Sequence, residues 1–225
     1  MLIGSDTWKR LIADGAKDFH IDISPSQAAQ FDVYARELIT WNRKKNLTAI
    51  TEPTEIAVKH FLDSIIPTRF LPSEASLLDI GSGAGFPGIP FKIMIPSLSV
   101  TLIDASRKKV NFLKHIIRLL DLKGIEARHI RAEELAKAPG SAPAFDLIVC
   151  RALTRLDDFV AMAIPMLAGE GTIIALKGME MEMDITAGEN ITFADDIFSV
   201  DIQTYSLPFL DAGRSVIRLK RIPHP

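Results

Sequence analysis

A dense run of glycines behind an aspartate is the strongest chemical signal in the 225-residue sequence. The run reads Asp79-Ile-Gly81-Ser-Gly83-Ala-Gly85-Phe-Pro-Gly88 and separates an apolar segment from a helical pattern. Glycines let a backbone turn sharply and approach a ligand closely at a helix N-terminus. Two frames fit the spacing. One is the G-x-G-x-x-G that begins at Gly83, the pyrophosphate loop of dinucleotide-binding folds. The other is an acid two residues before three alternate glycines.

The acidic residues around the run help to choose between these frames. Asp104 follows the next apolar segment, and a carboxylate there accepts hydrogen bonds from ribose hydroxyls in both interpretations. Asp79 favours the second frame, because an acid repels a pyrophosphate but attracts the sulfonium and ammonium of S-adenosylmethionine. That frame resembles motif I of class I S-adenosylmethionine-dependent methyltransferases, in which Asp79, Gly81, Gly83 and Gly85 are predicted to contact the cofactor.

The apolar pattern around these motifs predicts the fold. Short apolar segments alternate with amphipathic helical stretches from Ser76 onward, which is typical of parallel strands covered on both faces. Phe198–Tyr205 and Ser215–Arg221 have no helix between them, which predicts an antiparallel pair. We therefore expect an α/β, Rossmann-like class I methyltransferase fold with a mostly parallel seven-stranded sheet ending in that pair. Helical patterns predict an N-terminal extension over residues 1–70, ahead of an S-adenosylmethionine-binding domain over residues 71–225.

Composition excludes several other classes of protein. The hydrophobic fraction of 48% and the charged fraction of 24% are ordinary for a soluble globular chain. The single cysteine, Cys150, excludes a disulfide framework, and the five histidines show no ligand spacing, so we predict no metal. The N-terminus lacks the pattern of a signal peptide, and no apolar run is long enough to span a membrane. We expect a cytoplasmic protein without a membrane partner.

The net charge of −2 conceals a strong segregation of charge. Residues 100–131 carry 8 basic and 3 acidic side chains, and residues 212–225 carry 4 basic and no acidic ones. Such asymmetry is typical of a surface that faces a polyanion, although solvated helix faces give the same pattern. The candidate phosphate contacts are Arg43, Lys44, Lys45, Arg107, Lys108, Lys109 and Arg214.

A series of further motifs, taken in order, resembles one particular family. The motifs are WNRKKNLT at 41–48, HFLDS at 60–64, LLDIGSGAGFPGIP at 77–90, DASRKKVNFL at 104–113, RAEE at 131–134, CRA at 150–152 and ALKG at 175–178. Together they look like the bacterial small-subunit ribosomal RNA guanine-N7 methyltransferases, also called glucose-inhibited division protein B. The resemblance covers roughly residues 30–221.

This resemblance implies transfer of a methyl group from S-adenosylmethionine to N7 of one guanosine in 16S rRNA, near the decoding region. The partner would be 16S rRNA in the 30S subunit or a precursor, and we expect a monomer. By the same resemblance, the cofactor-binding set is Gly81, Phe86, Ala132, Glu133 and Arg151, to which the ribose argument adds Asp104. Arg151 is also the candidate catalytic residue, because a guanidinium fork can hold either cofactor or guanine.

The available chemistry suits an N7 target. Guanine N7 has a lone pair and no proton, so methyl transfer needs positioning rather than a general base. Amino-group methyltransferases often carry an Asn/Asp-Pro-Pro-aromatic turn after the fourth strand, where this chain has Val149-Cys150-Arg151-Ala152. Cys150 as a nucleophile is less favoured than Cys150 as an inert core residue. His60 and Asp63 are either a substrate-side pair or a local hydrogen bond. A small-molecule methyltransferase and a non-catalytic ribosome assembly factor remain the alternatives.

Overall fold

The chain folds around one mixed β-sheet, with eight strands among the residues that the structure describes. The structure is a computed structural model, and it describes residues 1–137, 144–151, 155–178, 186–210 and 212–222. The strands are β1 Ser76–Ile80, β2 Ser99–Asp104, β3 Ile125–His129, β4 Phe145–Arg151, β5 Leu167–Gly178, β6 Asn190–Phe193, β7 Asp196–Ser206 and β8 Gly213–Ile222. Their spatial order is β3-β2-β1-β4-β5-β8-β7-β6.

The strand directions confirm the predicted fold class. Strands β1 to β5 pair in parallel, and β8 lies antiparallel between β5 and β7. The sheet exceeds the predicted seven strands because β6 pairs with β7 at the outer edge. This strand has only four residues, Asn-Ile-Thr-Phe, and none of them is fully buried. A segment this short and exposed lacks the apolar run that marked the other strands.

Helices precede the sheet and cover both of its faces. α1 (Asp6–Lys17) and α2 (Pro25–Lys45) both begin at serine N-caps, and Ser24 forms a capping box with Gln27. A mixed helical segment follows, made of Pro53–Glu55, the π-helical Ile56–Leu62, Asp63–Ile65 and the 3₁₀-helical Ile66–Phe70. The remaining helices are Gly88–Met94, Arg107–Leu119, Ala132–Ala136, Leu156–Ala163 and the 3₁₀ turn Ile164–Met166. None of the described helices is long and apolar enough to cross a membrane.

The N-terminal helices share a hydrophobic core with one face of the sheet. Trp8, Tyr34 and Phe61 are fully buried and belong to the same cluster as Ile89 and Phe112, from helices that cover the sheet. Burial of such aromatic side chains is a large contribution to stability, so the extension and the sheet stabilise each other. The division at residues 70 and 71 stays a prediction.

The strand order places the ends of three strands around one crevice. β1 is flanked by β2 on one side and by β4 on the other. Ligands of open α/β sheets bind outside the carboxyl ends of the strands, where the strand order reverses. Here those ends carry Gly81 after β1, Asp104 at the end of β2 and Arg151 at the end of β4.

Candidate active site

The glycine loop after β1 is built from two halves with different roles. Gly81 and Gly83 have φ of +70° and +59°, and a Cβ at either position would meet no atom closer than 3.8 Å. Gly85 has φ of +98°, and a Cβ there would lie 2.5 Å from the Tyr34 hydroxyl. A Cβ at Gly88 would lie 2.7 Å from Asp79 Oδ2. The first two glycines therefore leave space above the loop, whereas the last two let the loop pack on the protein.

Asp79 lies beneath this loop as a fully buried carboxylate. Its Oδ2 accepts a hydrogen bond from the Gly88 N–H at 2.9 Å, and its Oδ1 has no partner among the described residues. Burial raises the pKa of Asp79 to about 7, although the Gly88 N–H and the charge of Arg151 both oppose that rise. A buried acceptor without a donor is costly, and a cationic ligand above the loop would offset that cost. This fits a cofactor that carries an ammonium and a sulfonium.

Asp104 borders a cavity suited to a nucleoside. Its two oxygens accept hydrogen bonds from the Gly83 N–H at 3.0 Å and the Ser106 N–H at 2.7 Å, which fixes the carboxylate at the cavity wall. Each oxygen keeps a second lone pair for a ribose hydroxyl. The cavity has a volume of about 170 Å³ and is lined by Ile80, Gly81, Ile103, Asp104, Ala105, Ile130, Arg131, Ala132, Glu133 and Met162. The structure thus brings four of the predicted cofactor residues together.

Three stacked rings join the glycine loop to the N-terminal helices. Phe86 lies between Tyr34 and His60, with centroid distances of 5.1 and 4.5 Å and interplanar angles of 8°. The Arg151 guanidinium lies over the same ring at 5.2 Å. Phe86 is only 4% exposed, so its ring supports the wall of the site and offers little surface to a ligand. Offset stacking and a cation over an aromatic face both stabilise this arrangement.

Arg151 is oriented by the π-helical turn Ile56–Leu62. Its Nη1 donates to the Lys59 carbonyl at 2.8 Å, and its Nη2 donates to His60 Nδ1 at 3.2 Å. Burial, assisted by the charge of Arg151, lowers the pKa of His60 to about 3, so the ring is neutral. Because Nδ1 accepts from Arg151, the proton lies on Nε2 and is donated to Thr48 Oγ1 at 2.9 Å. Single π-helical turns of this kind are frequent at functional sites.

Asp63 connects Arg151, at the end of β4, with side chains of the antiparallel strands β7 and β8. The carboxylate lies 3.5 Å from Arg151 Nη1 and accepts a hydrogen bond from Arg214 Nε at 3.1 Å. It also accepts a hydrogen bond from the Tyr205 hydroxyl at 3.4 Å. The predicted association of His60 with Asp63 therefore takes an indirect form, because each residue contacts Arg151.

Three cavities around these residues share lining side chains, and we refer to them together as the trough. The largest has a volume of about 410 Å³ and is lined by Ile50, Lys59, His60, Asp63, Arg151, Leu176, Lys177, Gly178, Tyr205, Arg214 and Ser215. A smaller cavity of about 160 Å³ includes Thr48, Phe86 and Gly83, and it shares His60 and Arg151 with the largest one. Gly81 lines both this cavity and the nucleoside cavity. Arg151 therefore lines both the 410 Å³ cavity and the smaller cavity beside the glycine loop.

The predicted phosphate contacts fall into two groups. Arg43 to Lys45 are exposed at the end of α2, just before Thr48, which contacts His60. Arg107 and Lys108 are exposed where a helix begins beside Asp104, and Lys109 Nζ lies 3.7 Å from that carboxylate. Each segment is close in sequence to a residue that lines the trough, Thr48 in the first case and Asp104 in the second. Arg214 differs, because its side chain is only 21% exposed and pairs with Asp63 inside the trough.

Sequence reasoning missed several residues of the trough. Thr48 and Lys177 appeared only within motifs and Lys59 in none of them, yet all three line it, and Lys177 is only 6% exposed. A lysine that ends an apolar strand was the available signal for Lys177. Cys150 is buried and burial raises the pKa of its thiol, which fits an inert residue. Ala152 lies outside the described residues, and the described residues contain no group of three or more metal-binding side chains.

Comparisons with known proteins agree with this geometry. The family model described as "rRNA small subunit methyltransferase G" matches residues 27–212. The protein of that name from Geotalea uraniireducens (strain Rf4) is 45% identical over 220 residues, covering 97% of this chain and 99% of the relative. Its namesake from Geobacter sp. (strain M21) is 39% identical over 213 residues, covering 95% and 97%.

Solved structures support the same fold. A SAM-dependent methyltransferase from Aquifex aeolicus matches with a TM-score of 0.55 at 16% identity, covering 79% of this chain and 97% of that protein. The fibrillarin/Nop5p complex matches with a TM-score of 0.52 at 14% identity, covering 72% and 84%. The predictions of a class I methyltransferase fold and of an S-adenosylmethionine-dependent enzyme are confirmed. The chain belongs to the rRNA small subunit methyltransferase G family.

Proposed function

We propose that the protein transfers a methyl group from S-adenosylmethionine to N7 of a single guanosine in 16S rRNA, near the decoding region. It would act in the cytoplasm as a monomer, on the 30S subunit or a precursor of it. The relatives named "Ribosomal RNA small subunit methyltransferase G" support an RNA substrate. In this proposal residues 71–225 bind the cofactor, and residues 1–70 form one wall of the substrate side.

The residues of the crevice suit the parts of the cofactor. Asp104, Ala132 and Glu133 would hold the nucleoside of the cofactor. Gly81 and Gly83 leave space for the amino-acid part of the cofactor. The cofactor, when bound, supplies a methyl group on an electrophilic sulfonium. The negative charge of Asp79 lies directly below and favours a cation at that position.

The observation that carries the N7 assignment is that His60 and Asp63, the pair that the sequence placed on the substrate side, are both engaged in other contacts. Both ring nitrogens of His60 make hydrogen bonds, and the ring is neutral. Asp63 lies between Arg151 and Arg214. An exocyclic amine must lose a proton when it is methylated, whereas N7 attacks with its own lone pair. The trough therefore suits N7, with catalysis by positioning and electrostatics.

The trough also limits how RNA presents the base. N7 lies on the edge of the base that faces the major groove. In A-form RNA this groove is too deep and narrow for side chains to reach the base. The target must lie in a loop or a distorted helix and leave its stack to enter the trough. Arg43, Lys44, Lys45, Arg107, Lys108 and Lys109 are at least partly exposed and would contact phosphates that flank the target.

Methyl transfer from labelled S-adenosylmethionine tests the proposal. The substrates compared are deproteinised 16S rRNA, 30S subunits lacking the modification, and a pool of small metabolites. We expect label in one of the RNA substrates, at a position that borohydride and aniline cleave, since that chemistry reports N7-methylguanosine. Label only in metabolites, or at a position that resists cleavage, would contradict the proposal. Cofactor binding without transfer to any substrate would favour an assembly factor.

A further inference from the structure

A buried lysine on the substrate side has no role in the mechanism described so far. Lys177 ends the apolar part of β5, is 6% exposed and lines the 410 Å³ cavity. Burial lowers the pKa of its ammonium, and the charge of Asp157 only partly opposes this. Asp157 itself lies 3.6 Å from Arg155. Lys177 forms no ion pair with any described acid, which is unusual for a buried lysine.

The cavity around Lys177 carries an excess of positive charge. Among the described residues, Lys59, Arg151, Lys177 and Arg214 line it, together with one carboxylate, Asp63. Lys59 is neutralised separately, because its ammonium lies 2.5 Å from Glu55. Within the described lining, two guanidiniums and one ammonium therefore face one carboxylate. Such a cavity is suited to an anion, and its volume falls in the range of about 300–1,000 Å³ found for small-ligand sites.

From this charge and burial we infer that Lys177, together with Arg214, binds the phosphate of the target nucleotide. The inference rests on the proposed function, since it supposes that a nucleotide enters the trough. A phosphate supplies the negative charge that the cavity lacks and accepts several charge-assisted hydrogen bonds. The subsite lies beyond Arg151 from the glycine loop, so a nucleotide held there would present its base toward Arg151 and the cofactor side.

The guanine base is the weaker ligand for Lys177. Its O6 is uncharged and would leave the excess charge of the cavity unbalanced. Methylation at N7 also gives the base a positive charge, which a nearby ammonium opposes. A phosphate partner avoids both difficulties, because its charge does not change in the reaction and it screens the base from Lys177.

Binding of mononucleotides to the full-length protein, saturated with S-adenosylhomocysteine, tests the subsite. Calorimetry compares guanosine with its 5′- and 3′-monophosphates, and inorganic phosphate serves as competitor. We expect one monophosphate to bind about tenfold to hundredfold more tightly than guanosine, as a charge-assisted hydrogen bond predicts. The isomer that is preferred identifies which phosphate of the nucleotide is held. Lys177→Met should weaken the preference, since only Arg214 then holds the phosphate, and Lys177→Arg should retain it.

A matched control separates binding from folding. Lys123→Met removes a lysine whose side chain is 81% exposed, and it should leave the preference unchanged. Melting temperatures show whether each variant is folded, and Lys177→Gln replaces Lys177→Met should the latter be unfolded. Equal binding of guanosine and both monophosphates, or a preference that is undiminished in Lys177→Met, would overturn the subsite. If the subsite fails in this way, methylation of rRNA at N7 by the wild-type protein would still support the proposed function. If instead the phosphate preference is found but no rRNA is methylated, the proposed function is overturned and the subsite stands.

Discussion

The buried carboxylate beneath the glycine loop predicts an unusual dependence of stability on pH. Burial raises the pKa of Asp79 from 3.8 to about 7 in the folded protein. The folded state therefore holds a proton that the unfolded chain releases at lower pH. The free energy of unfolding must fall as pH rises above the unfolded pKa, and this loss is complete once pH passes the folded pKa.

The size of the effect follows from the two pKa values. One unit of pKa shift corresponds to about 1.4 kcal/mol, so a rise from 3.8 to about 7 removes about 4 kcal/mol in total. Between about pH 5 and about pH 8 the loss is about 2.5 kcal/mol. Asp79→Asn removes the titration and keeps an oxygen that can accept from the Gly88 N–H. Relative to the parent, this variant should therefore gain about 2.5 kcal/mol on going from the lower to the higher pH.

Urea unfolding of both proteins without cofactor, at about pH 5 and about pH 8, measures this gain. Asp146→Asn is the control. Hydrogen bonds from Ser76 lower the pKa of Asp146, so its contribution is lost only in acid below this range. Its stability difference from the parent should be equal at the two pH values. An Asp79→Asn difference that is likewise equal at both would refute the burial account of Asp79.

Three further predictions test other parts of the site. Asp104→Ala should weaken cofactor binding, because it removes the proposed acceptor of the ribose hydroxyls, and unchanged affinity by calorimetry would contradict that role. The double substitution Arg107→Glu and Lys108→Glu should lower RNA affinity and leave cofactor affinity unchanged. It should also reduce the slope of log affinity against log salt concentration by about 2. An unaltered slope would mean that these two residues do not contact RNA phosphates. Gly88→Ala should destabilise the fold by about 1–3 kcal/mol because its Cβ would lie 2.7 Å from Asp79 Oδ2. Gly169→Ala is its control, since a Cβ there meets nothing within 4 Å, and equal urea midpoints for the two variants would contradict the packing argument.

The sequence could predict those parts of the site that depend on local order. Gly81 and Asp104 follow apolar strands directly, so their spacing alone places them at the carboxyl edge of a parallel sheet. The contact of Asp63 with Arg151 and Arg214 joins positions far apart in the chain. A single sequence contains no signal for such a contact, because it depends on the order of strands in space. For the same reason Arg214 was grouped with surface cations, although pairing with Asp63 draws it into the trough.

The structure also sharpens the question of whether Arg151 serves the cofactor or the guanine. Its guanidinium is held by the Lys59 carbonyl and by His60, while one face covers Phe86. These contacts use only part of its five N–H donors, and the residue lines cavities on both sides of the site. A planar, permanently charged group fixed between two ligands can orient both at once, which a flexible lysine cannot do. In the proposed mechanism the two roles would belong to one position, and alignment of the sulfonium with N7 would depend on the rigidity of that position.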